Sequence, residues 1–156
     1  MRKYLLHVLI ISFVFLLAPT VQVATYAGEI EDAKEEVRRN PDDAKAHYNF
    51  GVAYKNLGRY EEAIESYKQA IRIDPDDADS NYGLGNTYHN TDKYQDAIES
   101  YKQAISINPD HAYAHSMLGL TYIILKDRGS ALEQYKILER LDTKQANELF
   151  DEIYSE

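Results

Sequence analysis

Tyr60 to Ile73 reads YEEAIESYKQAIRI, and Tyr94 to Ile107 reads YQDAIESYKQAISI. The nine residues from Ala63 to Ile71 return unchanged as Ala97 to Ile105, an offset of 34. Residues 44–77 and 78–111 agree at 18 of 34 positions, and a more diverged copy, 112–145, keeps the phase. Gly51, Gly85 and Gly119 share one column. Tyr54, Tyr88 and Tyr122 share a second; Ala63, Ala97 and Ala131 a third; Tyr67, Tyr101 and Tyr135 a fourth. Self-similarity at this period marks a stack of small units, each of which completes its core against its neighbours.

The spacing inside a copy predicts two helices. Phe50, Gly51 and Tyr54 fall on one helical face, and Ala63, Tyr67, Ala70 and Ile71 on another. Asn56-Leu57-Gly58-Arg59 supplies a short turn between them. The glycine and alanine columns let helix backbones approach closely, and the tyrosines fill what is left. Pro75 and Pro109 stop the second helix, and the aspartates after them suit the cap of the next.

This pattern resembles the tetratricopeptide repeat (TPR), over about two thirds of the chain. The glycine-tyrosine part stands at Phe50-Gly51 and Tyr54, Leu84-Gly85 and Tyr88, and Leu118-Gly119 and Tyr122. The alanine-aromatic-alanine part stands at Ala63, Tyr67 and Ala70, and at Ala97, Tyr101 and Ala104. The third copy departs late, with Leu138 for the second alanine and Thr143 for the proline. The family's early tryptophan is replaced by His47, Asn81 and His115. The resemblance implies an all-α, right-handed superhelical solenoid of three antiparallel helix-turn-helix units: 44–77, 78–111 and 112–145. Residues 28–43 read as an N-terminal cap helix, because Asn40-Pro41-Asp42-Asp43 respells Asp74-Pro75-Asp76-Asp77. Ile30, Ala33 and Val37 form its thin apolar stripe. Residues 146–156 read as a C-terminal cap, with Ala146, Leu149, Phe150 and Ile153 facing inward.

Residues 1–27 read as a secretory signal: Arg2 and Lys3 precede an apolar run from Leu5 to Leu17, and Thr25-Tyr26-Ala27 suits cleavage after Ala27. The alternative is an uncleaved membrane anchor over 5–27, interrupted by Pro19 and Gln22. Either reading makes this an exported protein, periplasmic, secreted or held at the outer face of a membrane. The chain has no cysteine, so no disulfide framework and no lipid attachment through that residue. Formal net charge is -9, and cleavage removes two cations and no acid. Such a balance argues against nucleic acid or an anionic membrane surface as partner.

No enzyme constellation is present in the pattern, and no cofactor or metal is expected. Glu61, Glu62, Glu65, Asp96 and Glu99 read as a solvated helix face. His111 and His115, four apart, would need a third ligand such as Asp110 or His89 to hold zinc. His115 shares the column of His47, where a flat ring simply packs.

Of fourteen tyrosines, eight fall in columns that packing accounts for: Tyr54, Tyr60, Tyr67, Tyr88, Tyr94, Tyr101, Tyr122 and Tyr135. Tyr48, Tyr82 and Tyr113 lie on the other stripe of the first helix. By the resemblance, that stripe lines the concave surface and takes the ligand. It carries Lys45, Asn49, Val52 and Asn56 in the first copy, and Asp79, Asn86, His89 and Asn90 in the second. In the third it carries Met117, Leu120 and Ile124. Tyrosine and methionine suit a recognition surface; the alternative is that Tyr48 and Tyr82 only pack between adjacent helices. A clamp for a C-terminal carboxylate, used by some family members, needs basic residues where Ser116, Leu120 and Ile123 stand. The expected function is a protein-protein interaction module, an adaptor or scaffold holding a peptide or helix of a partner. The alternative is a self-assembling structural protein, a homo-oligomer through the third copy or the ends.

Overall fold

A computed structural model describes residues 28–155. The signal or anchor assigned to 1–27 lies outside the described residues. All regular structure among the described residues is helical. Helical residues 28–39 form α1. Three pairs follow: α2 (Ala44–Asn56) with α3 (Tyr60–Ile73), α4 (Ala78–Asn90) with α5 (Tyr94–Ile107), and α6 (Ala112–Ile124) with α7 (Arg128–Leu141). Thr143–Tyr154, α8, closes the array. None of the described helices is long and apolar enough to cross a membrane.

The helix starts are set by short side chains. Asp43 and Asp77 accept from the backbone N–H of Lys45 and Asp79, at 2.9 and 3.1 Å. The third copy lacks that aspartate, and His111 replaces it: its Nδ1 accepts from the Ala114 N–H at 3.2 Å. Asp142 begins α8 by accepting from the N–H groups of Lys144 and Gln145. Each of these satisfies a donor that a helix start otherwise leaves without a partner. Ring nitrogens in the missing-tryptophan column also tie helices to loops. The Nε2–H of His47 donates to the Pro41 carbonyl at 2.9 Å, and that of His115 to the Pro109 carbonyl at 3.0 Å. In the second unit the Asn81 amide donates to the Asp77 carbonyl instead.

The turn inside each pair needs one left-handed residue. Gly58 adopts φ 75°, and the same column holds Asp92 at 59° and Lys126 at 61°. Glycine takes this region freely, whereas a side chain carries a cost.

Neighbouring units meet chiefly where α3 packs on α4 and α5 on α6; α2 also touches α4 and α4 touches α6, whereas α3, α5 and α7 do not touch one another. The array therefore bends, with α2, α4 and α6 on its inner side. Tyr67 is fully buried between two units. A Cβ added at Gly51 of α2 would lie 2.9 Å from its ring, and one at Gly83 of α4 would lie 2.7 Å away. Tyr101 sits likewise against Gly85, where an added Cβ would come within 2.6 Å. Burial pushes both phenol groups well above the ordinary tyrosine range.

The third unit departs from this plan. Tyr135 is only partly buried, at the edge of the core. Its hydroxyl donates to Glu139 at 2.8 Å on the surface, and its ring lies 5.5 Å from Phe150. Leu149 of α8 takes the tyrosine's place against the glycine instead: a Cβ at Gly119 would meet its Cδ2 at 2.6 Å. Leu138, where the earlier units have alanine, fills the remaining space with Ala131, Ala146 and Ile153. Phe150, expected to face inward, is 41% exposed, because α8 turns its Ala146-Leu149-Ile153 edge to α6 and α7. Tyr60 and Tyr94, also expected in the core, are only partly buried, and the Tyr94 hydroxyl donates to Asp92 at the surface. At the other end Ile30 and Ala33 of α1 pack on Ala53 of α2.

Candidate functional site: the inner face

The inner face is built by one stripe from each of α2, α4 and α6. Its aromatic residues form a row. Tyr48 packs edge-on against Tyr67 at 5.8 Å, and Tyr82 against Tyr101 at 6.1 Å, so the buried tyrosines serve as the floor on which the row stands. Tyr113 lies 6.4 Å from Tyr82 and is 63% exposed, the most open of the large apolar side chains among the described residues. The Lys45 ammonium sits over the Tyr48 ring, 4.4 Å from its centroid. Burial, with Asp79 and Asp77 nearby, pushes the Tyr48 hydroxyl up from its ordinary pKa.

Several residues assigned to the groove from the sequence have a second occupation. Asn86 accepts a hydrogen bond from the buried Tyr101 hydroxyl at 2.8 Å, so its carbonyl oxygen serves the core. Asn49 reaches back to Glu36 of α1 at 3.4 Å. Val52 packs in the cluster around Tyr67, and Met117 in the cluster around Tyr101. Leu120 packs in the cluster that α8 completes, and is not open groove floor. The His89 ring turns to Tyr94 of α5 at 5.5 Å; its Nε2 is buried without a partner, and burial lowers the imidazole's pKa. Asn56 and Asn90 are exposed at the ends of α2 and α4, and Ile124 is exposed at the end of α6. What stays open on the inner face is therefore chiefly Lys45, Asp79 and Tyr113, with Tyr48 and Tyr82 half-buried against the same two clusters.

The two histidines do not converge. His111 uses Nδ1 for the helix cap and directs Nε2 to Asp79 Oδ1 at 3.3 Å, while His115 is held between Pro109 and the Gln134 side-chain amide at 2.8 Å. Among the described residues no group of three or more His, Cys, Asp or Glu side chains is placed to hold a metal ion.

The sequence pattern did not single out Gly83, which is off the glycine column, nor His111 as part of the aromatic row. Gly83 was visible as an unmatched glycine in a helix, where glycine otherwise only costs stability. His111 stacks on Tyr82 with ring centroids 5.0 Å apart. That contact joins α4 to the residue that caps α6, and the repeat phase alone does not reveal it.

Family profiles described as tetratricopeptide or TPR repeats match residues 33–65, 55–92 and 78–111. A comparison with curated proteins gives no match. Among solved structures, TTC0263, a thermophilic TPR protein of Thermus thermophilus, aligns with a TM-score of 0.74 at 24% identity, covering 88% of this chain and 78% of its own. MamA of Desulfovibrio magneticus RS-1 aligns at 0.70 and 22%, covering 83% and 71%. YrrB, described as a TPR protein with an unusual peptide-binding site, aligns at 0.67 and 22%, covering 81% and 75%. At these identities the likeness speaks for the fold, and the profile matches for the family. Repeat period, glycine-tyrosine columns, helix pairs and profile matches agree: this chain belongs to the tetratricopeptide repeat family.

Proposed function

We propose that this protein is an exported interaction module that holds a segment of a partner protein along its inner face. The observation that carries the reading is the contrast between two sets of tyrosines. Tyr67 and Tyr101 are sealed, whereas the row they support runs from the half-buried Tyr48 and Tyr82 to Tyr113 at 63% exposure. A tyrosine row with its end open offers contact area at little entropic cost, with a polar handle on each ring. The peptide-binding site named for YrrB, a neighbour in fold, is in keeping with this. The apolar run from Leu5 to Leu17 behind Arg2 and Lys3 supports export. Sequencing the N-terminus of the protein recovered from fractionated cells tests that part; a chain retained in the cytoplasm overturns it.

The test of the groove is capture of native partners after crosslinking, with and without Tyr113→Ala. Tyr113 is exposed enough that the substitution leaves helicity unchanged. Capture should fall roughly tenfold if the ring is an anchor. Unchanged capture would remove the assignment. A second reading, self-assembly, rests on Phe150 and Tyr154, both exposed at the terminal helix. Light scattering across a concentration series separates the two, because a chain that stays monomeric at high concentration is not a self-assembling one.

A further inference from the structure

Three features of the inner face combine at the second unit. First, the fold already contains a cation seated on this row: Lys45 covers Tyr48 at 4.4 Å. Second, one repeat later the equivalents of that pair are Asp79 and Tyr82, so a carboxylate stands where the ammonium stood. Third, the next residue in the same row is Tyr113, whose open ring makes a V with Tyr82, 6.4 Å between centroids and inclined by 45°. Among the described residues, Tyr48, Tyr54, Tyr88 and Tyr154 each carry a lysine or arginine over the ring, and Tyr82 and Tyr113 carry none. The Asp79 side chain is 65% exposed, and its one partner is the His111 Nε2–H. With Nδ1 of His111 accepting from the Ala114 N–H, the ring reaches Asp79 as a neutral donor, which leaves the carboxylate charge in place.

We propose that Tyr82, Tyr113 and Asp79 form a seat for an arginine or lysine side chain, and that the segment held on the inner face is a basic one. The proposal rests on the reading of the inner face as a groove. A cation over an exposed tyrosine ring is held by the ring's negative face, and more firmly where water is displaced. A carboxylate beside the rings adds a charge-assisted partner. Lys45, by the same logic, competes: it fills the first seat from within and repels a second cation next to it. The formal charge of -9 favours approach of a basic segment over long range.

A displayed library of random decapeptides, selected on the full chain, supplies the probe. The enriched peptides are then synthesised and their affinities measured by fluorescence anisotropy. Enrichment of arginine and lysine is expected, with affinity lowered about three- to fivefold by Asp79→Asn and about tenfold by Tyr113→Ala. Lys45→Gln should raise affinity about two- to fivefold. Asp96→Asn, the same charge change on the exposed side of α5, should move it little. Enriched peptides that lack cations but still need Tyr113 overturn the basic seat and leave the groove standing. Basic peptides that respond equally to Asp79→Asn and Asp96→Asn also overturn the seat, since only net charge is then being read. Peptides indifferent to Tyr113→Ala, or no enrichment at all, overturn seat and groove together.

Discussion

The first two units and the third place the same residue, at the same point of the repeat, in different surroundings. Tyr67 and Tyr101 are fully buried; Tyr135, in their column, is only partly buried, with its hydroxyl bonded to Glu139 at the surface. The difference comes from the neighbour. Tyr67 is received by a following unit that presents Gly83, which has no side chain to displace the ring. Tyr135 faces α8, whose Leu149 has already entered the space over Gly119. The environment of a column in a stacked protein is thus a property of two units together, and a terminal helix rewrites the column next to it.

The largest effect that would break this comparison is at the tyrosines themselves. Tyr67→Ala should cost about 3–5 kcal/mol in chemical denaturation, the usual range for emptying a buried aromatic site. Tyr135→Ala, at a half-buried ring, should cost clearly less. Equal losses would mean that the third unit is built like the others. A pH series sharpens the point. Burial raises the Tyr67 and Tyr101 pKa values above those of the unfolded chain, so the stability tied to their neutral form is complete below about pH 10. It is lost as pH rises past that value, because only the unfolded chain then releases the protons readily. Phenolate absorbance should therefore show two tyrosines that ionise together with the loss of helix, and Tyr67→Phe should reduce them to one.

A smaller effect separates the glycines. Alanine in a helix is favoured over glycine by about 1 kcal/mol before packing is considered. At Gly85 the added methyl would meet the rigid, buried Tyr101 ring at 2.6 Å, and overpacking of that kind costs about 1–3 kcal/mol. At Gly119 it would meet the end of Leu149, also at 2.6 Å, but a leucine can change rotamer. Gly85→Ala should therefore lower the denaturation midpoint, while Gly119→Ala should leave it nearly unchanged. The reverse order would show that α8 is locked more firmly than the inner units.

The repeat made most of the fold legible. A period of 34, the glycine and alanine columns and the proline stops were enough to place three helix pairs, and the turn at Asn56 to Arg59 fell where it was expected. Column reading treats each unit as equivalent, and it failed where units are not. Tyr135 and Phe150 were expected to be inside because their spacing matches an inward stripe; with α8 in place Tyr135 is only partly buried and Phe150 is exposed. The inner face was legible only as a stripe. Periodicity shows which side a residue is on, not what its polar atoms do. Asn86 serves the Tyr101 hydroxyl and His89 turns to Tyr94, and both depend on contacts with a second helix. The aromatic row was visible as tyrosines outside the packing columns, yet its link to His111 runs from α4 to the cap of α6.

The smallest expected effect concerns the turn column, where the third unit again differs. Gly58 holds φ at 75° without strain, while Lys126 holds 61° with a full side chain exposed to solvent. Its backbone N–H donates to the Ile123 carbonyl at 2.8 Å, so the conformation is kept by the turn and not by the side chain. Replacing Lys126 by glycine relieves the left-handed cost, roughly 1 kcal/mol, but gives the unfolded chain more freedom to lose. The first term exceeds the second only where the native φ is positive, as it is here. Lys126→Gly should thus raise stability by roughly a few tenths of a kcal/mol, and Gly58→Lys should lower it by a similar or larger amount. Urea midpoints of the two variants measured side by side give the sign directly. If Lys126→Gly destabilises instead, the turn of the third unit is held by its side chain after all, and that unit departs from the first two at its turn as well as at its core.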